Sequence, residues 1–194
     1  QVGVEGQAKL QAATVAVVGA GGFGCPVLQY LTGAGVGHLI IVDADVVDIS
    51  NLHRQPLYAT ANPGDLKAVA ARSVLASLNP DVTVTALTET LTPSNAAGIV
   101  GQADVVLDCA DSYAATYTLS DTCLALNTPL ISASALAMSG YVGGFCAGAP
   151  SVRALFPDLP SNLASCATAG VLGPVVGALG AAQAQMALSV LLQL

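Results

Sequence analysis

The chain has 194 residues, 54% of them hydrophobic, a length and content that fit one sizeable core, so a single domain spanning 1–194 is expected. Charged residues make up only 9% and the net charge is −7, which leaves no basic stripe to neutralise a phosphate backbone, so nucleic-acid binding is not expected. With five Lys and Arg residues in all, each cation becomes informative.

In chain order, the first strong element is TVAVV, Thr14 to Val18, a β-branched strand running into the glycine turn GAGGFG at Gly19 to Gly24 and then into an apolar helical pattern. A second apolar run, HLIIV at His38 to Val42, delivers Asp43 to a strand end. Strand, glycine turn, helix and strand ending in an acid form the dinucleotide-type fingerprint. Its glycines allow close backbone approach to a phosphate, the helix start offers N–H groups to an anion, and the acid can accept ribose hydroxyls. Directly after comes DADVVDISNLHRQ, Asp43 to Gln55, where Arg54 stands beside Asn51 and Gln55. Asp45 and Asp48 read as solvated or cap-like.

Gly64 to Leu78 carries apolar residues at a helical period and stops at Asn79 and Pro80. VTVTAL (Val82 to Leu87) alternates as a strand, Pro93 to Val100 reads as a short helix, and DVVLD (Asp104 to Asp108) as a buried strand ending in acids. A helix begins near Ser112 and extends to Leu126, PLISAS (Pro129 to Ser134) gives another strand, and Gly140 to Cys146 reads as an antiparallel one. Ala147 to Ser165 looks like a long surface connection, and an Ala-rich helix runs from about Gly177 to Leu194. The alternation predicts a doubly wound α/β fold: a mostly parallel sheet with a Rossmann-like nucleotide-binding half and a C-terminal antiparallel extension.

The uncharged stretches Thr14 to Val42 and Ala167 to Leu194 are poor membrane spans, being interrupted by glycines, prolines and glutamines. No signal peptide is evident, so a cytoplasmic location and no membrane partner are expected. Five cysteines without paired spacing read as reduced thiols.

The order of blocks resembles the ubiquitin-activating-enzyme-like adenylyltransferases of the ThiF, MoeB and HesA type, over nearly the whole chain. The blocks are EGQAKL at Glu5, VVGAGGFGCPVLQYLTGAGVGHLIIVDAD, SNLHRQPLY, GDLK, LNP, ADVVLDCADSY, NTPLISAS, LFP, and SCATAGVLGPVVGALGAAQAQMAL. The resemblance implies ATP-dependent adenylation of the C-terminal glycine of a small ubiquitin-like sulfur carrier of the ThiS or MoaD kind, in thiamine or molybdopterin sulfur transfer, by a homodimer. It implies Gly19, Gly21 and Gly22 along the nucleotide and Asp43 on the ribose. Asn51, Arg54, Gln55 and Lys67 would surround the phosphates, and Asp111 would approach magnesium. Cys166, just ahead of an A-G-V-x-x-P segment, stands where some members form a covalent link to the carrier. Read without the resemblance, Lys67 is as well placed on an exposed helix, and Asp108 and Asp111 as well read as helix caps.

Departures from the pattern matter as well. The first zinc-binding C-x-x-C pair would fall at Ser151 to Ala154, which read SVRA, so no structural zinc is expected. Thr116 stands where the resembling proteins carry an arginine. Two alternatives remain at this level: a degenerate nucleotide- or carrier-binding relative without turnover, and a nicotinamide-dependent oxidoreductase sharing the glycine fingerprint.

Overall fold

A computed structural model describes residues 2–158 and 170–194. Helix α1 (Gly3–Ala12) leads into β1 (Thr14–Val18), α2 (Gly24–Ala34) and β2 (His38–Val42). A short 3-10 turn (Ile49–Asn51) precedes α3 (Lys67–Leu78), β3 (Thr83–Leu87), α4 (Pro93–Val100), β4 (Val105–Asp108) and α5 (Tyr113–Leu126). The chain continues through β5 (Leu130–Leu136), β6 (Ser139–Phe145), the single turn α6 (Val152–Leu155) and the C-terminal helix α7 (Gly173–Leu192).

All six strands join one sheet in the order β3-β2-β1-β4-β5-β6. The first five are parallel, and β6 returns antiparallel to β5. This is the doubly wound α/β architecture, with its antiparallel extension, that the element order predicts. The strands are almost continuously apolar because both faces are covered. One face takes Val15, Val17, Leu39, Ile41, Val105 and Leu107 into a core with α2, α3 and α7. The other takes Ala16, Val18, Ile40, Val42 and Val106 into a core with α4 and α5. The two-residue period of the strands thus separates the chain into two cores.

Helix α7 starts at Gly173, earlier than the Gly177 expected, with Pro174 in its first turn where the missing N–H costs nothing. It is long and apolar enough to cross a membrane by length and composition. Its face carrying Val176, Gly180, Gln183, Ala184 and Ala187 is nevertheless buried on α2, β4, β5 and β6. Gly180 makes this close packing possible, since a Cβ there would lie 2.5 Å from the Phe23 carbonyl oxygen. The connection expected across Ala147 to Ser165 contains α6, capped by the Ser151 hydroxyl on the Ala154 N–H at 3.1 Å. Arg153 fastens α6 to α5 through two bonds to Asp121, at 2.9 and 2.7 Å, and lies over the Tyr117 ring. The remainder of that connection, 159–165, and Cys166 lie outside the described residues.

Gln183 is the polar exception in the core. It is fully buried, and its amide donates to the Asp108 carbonyl at 2.8 Å and to the Ile131 carbonyl at 3.2 Å. It therefore ties α7 to the carboxyl end of β4 and to the start of β5. Gln183→Leu keeps the volume but strips donors from buried carbonyls, and we expect a loss of roughly 1–3 kcal/mol in urea unfolding; a midpoint equal to the parent's would show these bonds to be dispensable.

Candidate functional site

The strand order reverses at β1, whose neighbours β2 and β4 lead the chain away in opposite directions, and open α/β sheets bind ligands at such a crevice. The register brings the ends of all three strands level: Val18 pairs with Val42 on one side and with Asp108 on the other. Three connections therefore meet there, one starting at Gly19, one at Asp43 and one at Cys109.

Gly19 has φ 98°, and a Cβ on it would sit 2.4 Å from the Cys109 carbonyl oxygen. Only glycine allows the loop to lie this close to β4. Gly24 is equally constrained, because a Cβ there would lie 2.0 Å from the Gly19 carbonyl oxygen. Helix α2 starts without a side-chain cap; its Cys25 N–H bonds the Gly21 carbonyl at 2.9 Å and Pro26 has none, so the N–H groups left for a ligand are those of the loop at Gly21, Gly22 and Phe23 and that of Gly24.

A cavity of about 310 Å³ fills the crevice. Its walls include Gly19, Gly21, Gly22, Asp43, Asp45, Asn51, Arg54, Gln55, Lys67, Glu89 and Asp111. The described residues that the resemblance assigns to the site thus all lie on one cavity, although they come from three separate connections.

Their local bonds refine the expectations. Asp43 accepts the Ala20 N–H at 2.7 Å and the Asp45 N–H at 2.9 Å, so besides any ligand role it braces the glycine loop. Burial raises its pKa, outweighing the two backbone N–H bonds and Lys67, which pull it down. Asn51 Oδ1 accepts from Arg54 at 2.9 Å and from Gln55 at 3.1 Å, orienting both side chains. Gln55 is buried, and its Oε1 has no protein partner.

Lys67 is buried at the first position of α3 and bonds Asp45 at 2.8 Å. The reading of Lys67 as a possible exposed helical lysine is overturned, and so is that of Asp45 as merely solvated or cap-like: though exposed, it is the counter-ion. Asp48 does cap, accepting the Ser50 N–H at 2.7 Å. Neither Asp108 nor Asp111 caps α5, because the Ser112 hydroxyl takes that role on the Ala115 N–H.

Tyr58 was not legible as a site residue beyond its membership of the SNLHRQPLY block. Its buried hydroxyl lies 2.8 Å from the Ala20 carbonyl and 3.3 Å from that of Lys67, joining the glycine loop to α3. Glu89 on the cavity wall had no sequence signal at all. Asp111 presents an exposed carboxylate to the cavity. An oxygen-donor side chain beside an anion site suits Mg²⁺, which is held by one or two carboxylates together with substrate phosphates. Among the described residues no cluster of three or more His, Cys, Asp or Glu could hold a metal by protein ligands alone.

The ThiF family model matches residues 1–194. This chain belongs to the ThiF family. It is 46% identical to the "Adenylyltransferase and sulfurtransferase uba4" of Aspergillus terreus over 202 residues, covering 98% of this chain and 42% of that protein. The protein of the same name from Kluyveromyces lactis is also 46% identical, with 98% of this chain and 44% of that one covered. The chain thus spans less than half the length of these curated relatives. Among solved structures, the microcin C7 biosynthetic enzyme MccB in complex with N-formylated MccA superimposes with a TM-score of 0.88 at 21% identity, covering 98% of this chain and 60% of that one. E. coli MccB with ATP gives 0.83 at 22% identity, covering 98% and 59%. At such identities the likeness is one of fold.

Asp108, three residues before Asp111, is fully buried. Burial pushes its pKa up to about 6 against the pull of Ser132, Thr116 and the Ala110 N–H. A carboxyl with a raised pKa holds its proton more tightly folded than unfolded, so the stability this confers is present below the unfolded pKa and is lost as pH rises through about 6. Asp108→Asn cannot ionise. Its unfolding free energy should therefore gain on the parent's between pH 4 and 7, by on the order of 2–3 kcal/mol; a difference independent of pH would show that Asp108 does not titrate there.

Proposed function

We propose that this chain binds ATP with Mg²⁺ and adenylates the C-terminal carboxylate of a small ubiquitin-like sulfur carrier of the ThiS or MoaD kind. The observation that carries this reading is the pairing of Arg54 and Lys67 on one cavity with an uncapped glycine loop that has no cation of its own. Hydride transfer to a nicotinamide has no need of that pair.

Adenylation attacks the α-phosphate with a carboxylate and expels pyrophosphate. The glycine loop and the start of α2 bind phosphate oxygens through N–H groups, and Asp43 takes the ribose. Arg54 and Lys67 supply fixed positive charge where negative charge develops on the transferring phosphorus and the leaving pyrophosphate. Their positioning is prepared in advance, Arg54 by Asn51 and Lys67 by Asp45. Mg²⁺, when bound, neutralises and orients the phosphates, and Asp111 is the residue that would hold it.

The cavity wall carries four carboxylates, Asp43, Asp45, Glu89 and Asp111, against two cations. A tetra-anionic nucleotide therefore meets a net negative wall unless a divalent ion comes with it, which makes ATP binding strongly metal-dependent. We also propose a homodimer in the cytoplasm. The outer face of α2 and α7, with Tyr30 59% exposed beside Gly33, Gly177, Ala178 and Ala181, carries no charge to keep copies apart.

Carrier-dependent ATP–pyrophosphate exchange tests the function. Lys67→Ala and Asp111→Ala should each lower exchange by about 10²-fold or more while circular dichroism stays unchanged. Tight NAD binding with no exchange in the parent would sink the adenylation reading.

Cys166 supplies a second expectation. Adenylation precedes any thiol attack, so Cys166→Ser should keep exchange and lose a covalent carrier adduct in mass spectrometry. Normal sulfur transfer by Cys166→Ser would remove the cysteine from the reaction.

A further inference from the structure

Asp108 is the one fully buried carboxylate among the described residues, and the adenylation steps above make no use of it. We propose that Asp108 is the positioning residue for Asp111: its carboxylate, held by uncharged neighbours, fixes the three-residue turn that presents Asp111 to the metal. This rests on the adenylation reading.

The turn from Cys109 to Asp111 connects β4 to α5. Its main chain is held at the β4 end by the Cys109 N–H on the Val18 carbonyl at 2.8 Å. At the α5 end, the Ser112 cap holds it. Between these, Asp108 Oδ1 accepts the Ala110 N–H at 3.2 Å, folding the turn back on the strand. Asp111 is left as the exposed member of a turn whose other residues are tethered. A metal-holding carboxylate on such a base loses little conformational freedom when it binds.

Asp108 is itself held by β5, with polar side chains of α5 and β6 beside it. From β5, the Ser132 hydroxyl donates to Oδ2 at 2.7 Å. From α5, Thr116 stands close enough to favour the charged carboxyl, at the position where a family arginine was expected. From β6, Tyr141 stands near Ser132 and Asp108 and feels both. Cys109, Cys123 and Tyr141 are the titratable groups that feel the carboxyl, and neither ion pair among the described residues includes it. Uncharged neighbours, the Ser132 hydroxyl foremost, rather than a cation therefore set its orientation. Thr116 is thereby assigned a positive role: it favours the charged form of the acid that holds the turn.

The test removes donors and leaves both carboxylates in place. Neither Ser132 nor Thr116 lines the cavity, so the double variant Ser132→Ala/Thr116→Val alters no wall. Calorimetry on the full chain with ATP, with and without Mg²⁺, reads the metal's contribution apart from turnover. We expect the gain in ATP affinity conferred by Mg²⁺ to fall about tenfold in the double variant, as for loss of a metal ligand's supporting partner, with metal-free ATP binding unchanged within about twofold. Ser132→Thr, which keeps a hydroxyl, should retain the parent's gain. A folded double variant with the parent's Mg²⁺ gain overturns the proposal. If the parent binds no ATP, the adenylation reading fails instead. Hydrogen exchange at the Ala110 amide, measured without nucleotide, still decides the tether: faster exchange in the double variant supports it, and an unchanged rate overturns it.

Discussion

The site depends on one close approach, that of the Gly19 backbone to the Cys109 carbonyl across the ends of β1 and β4. A side chain at Gly19 would meet that carbonyl at 2.4 Å and push the glycine loop off the sheet. With the loop seated, Ala20 is within reach of Asp43 on one side and Tyr58 on another, so the connections after β1 and β2 become one piece. The loop's remaining N–H groups then face the crevice instead of the core. Ligand recognition at this point of the sheet follows from backbone geometry before any side chain is considered.

Scarcity of charge gives the few ionic groups their weight. Lys67 is 6% exposed, and an ammonium in that setting needs a counter-ion, which Asp45 provides from the neighbouring connection. The same contact fastens the start of α3, whose first N–H bonds the Asp45 carbonyl at 2.9 Å. Arg153 and Asp121, by contrast, are about half exposed, so solvent screens their attraction and packing on Tyr117 does more to hold α6. Position decides what an ion pair does here: of the two among the described residues, the one with the buried ammonium lies on the cavity.

The strands, most helix limits and the shared location of the site residues were legible because each rests on a short-range signal: β-branched runs, glycine turns and motif spacing. What was not legible arises from contacts between distant segments. Asp45 looked solvated because its partner lies 22 residues away on a helix whose start could not be placed to within a turn. Tyr58 looked like an apolar residue in a motif, although its hydroxyl closes the bracket between the glycine loop and α3. Gln183 did leave a trace, as a lone amide in an uncharged helical run, but nothing in the sequence says which carbonyls it reaches. Cys166 stays with its motif, since it lies outside the described residues.

Asp108 and Asp111 show how far burial alone can divide two identical side chains. They stand three residues apart at the end of one strand, and either was readable as a cap. The strand register turns Asp108 inward between β5 and α5, where desolvation favours its protonated form and the hydroxyls and the Ala110 N–H favour the charged one. The turn carries Asp111 outward to the cavity, where water and a cation can compete for it. Two acids in contrasting environments commonly divide the work of a site, one reacting or binding and the other holding. At Thr116, where the resembling proteins carry an arginine, this chain brings no charge, so the cations that face the cavity are Arg54 and Lys67.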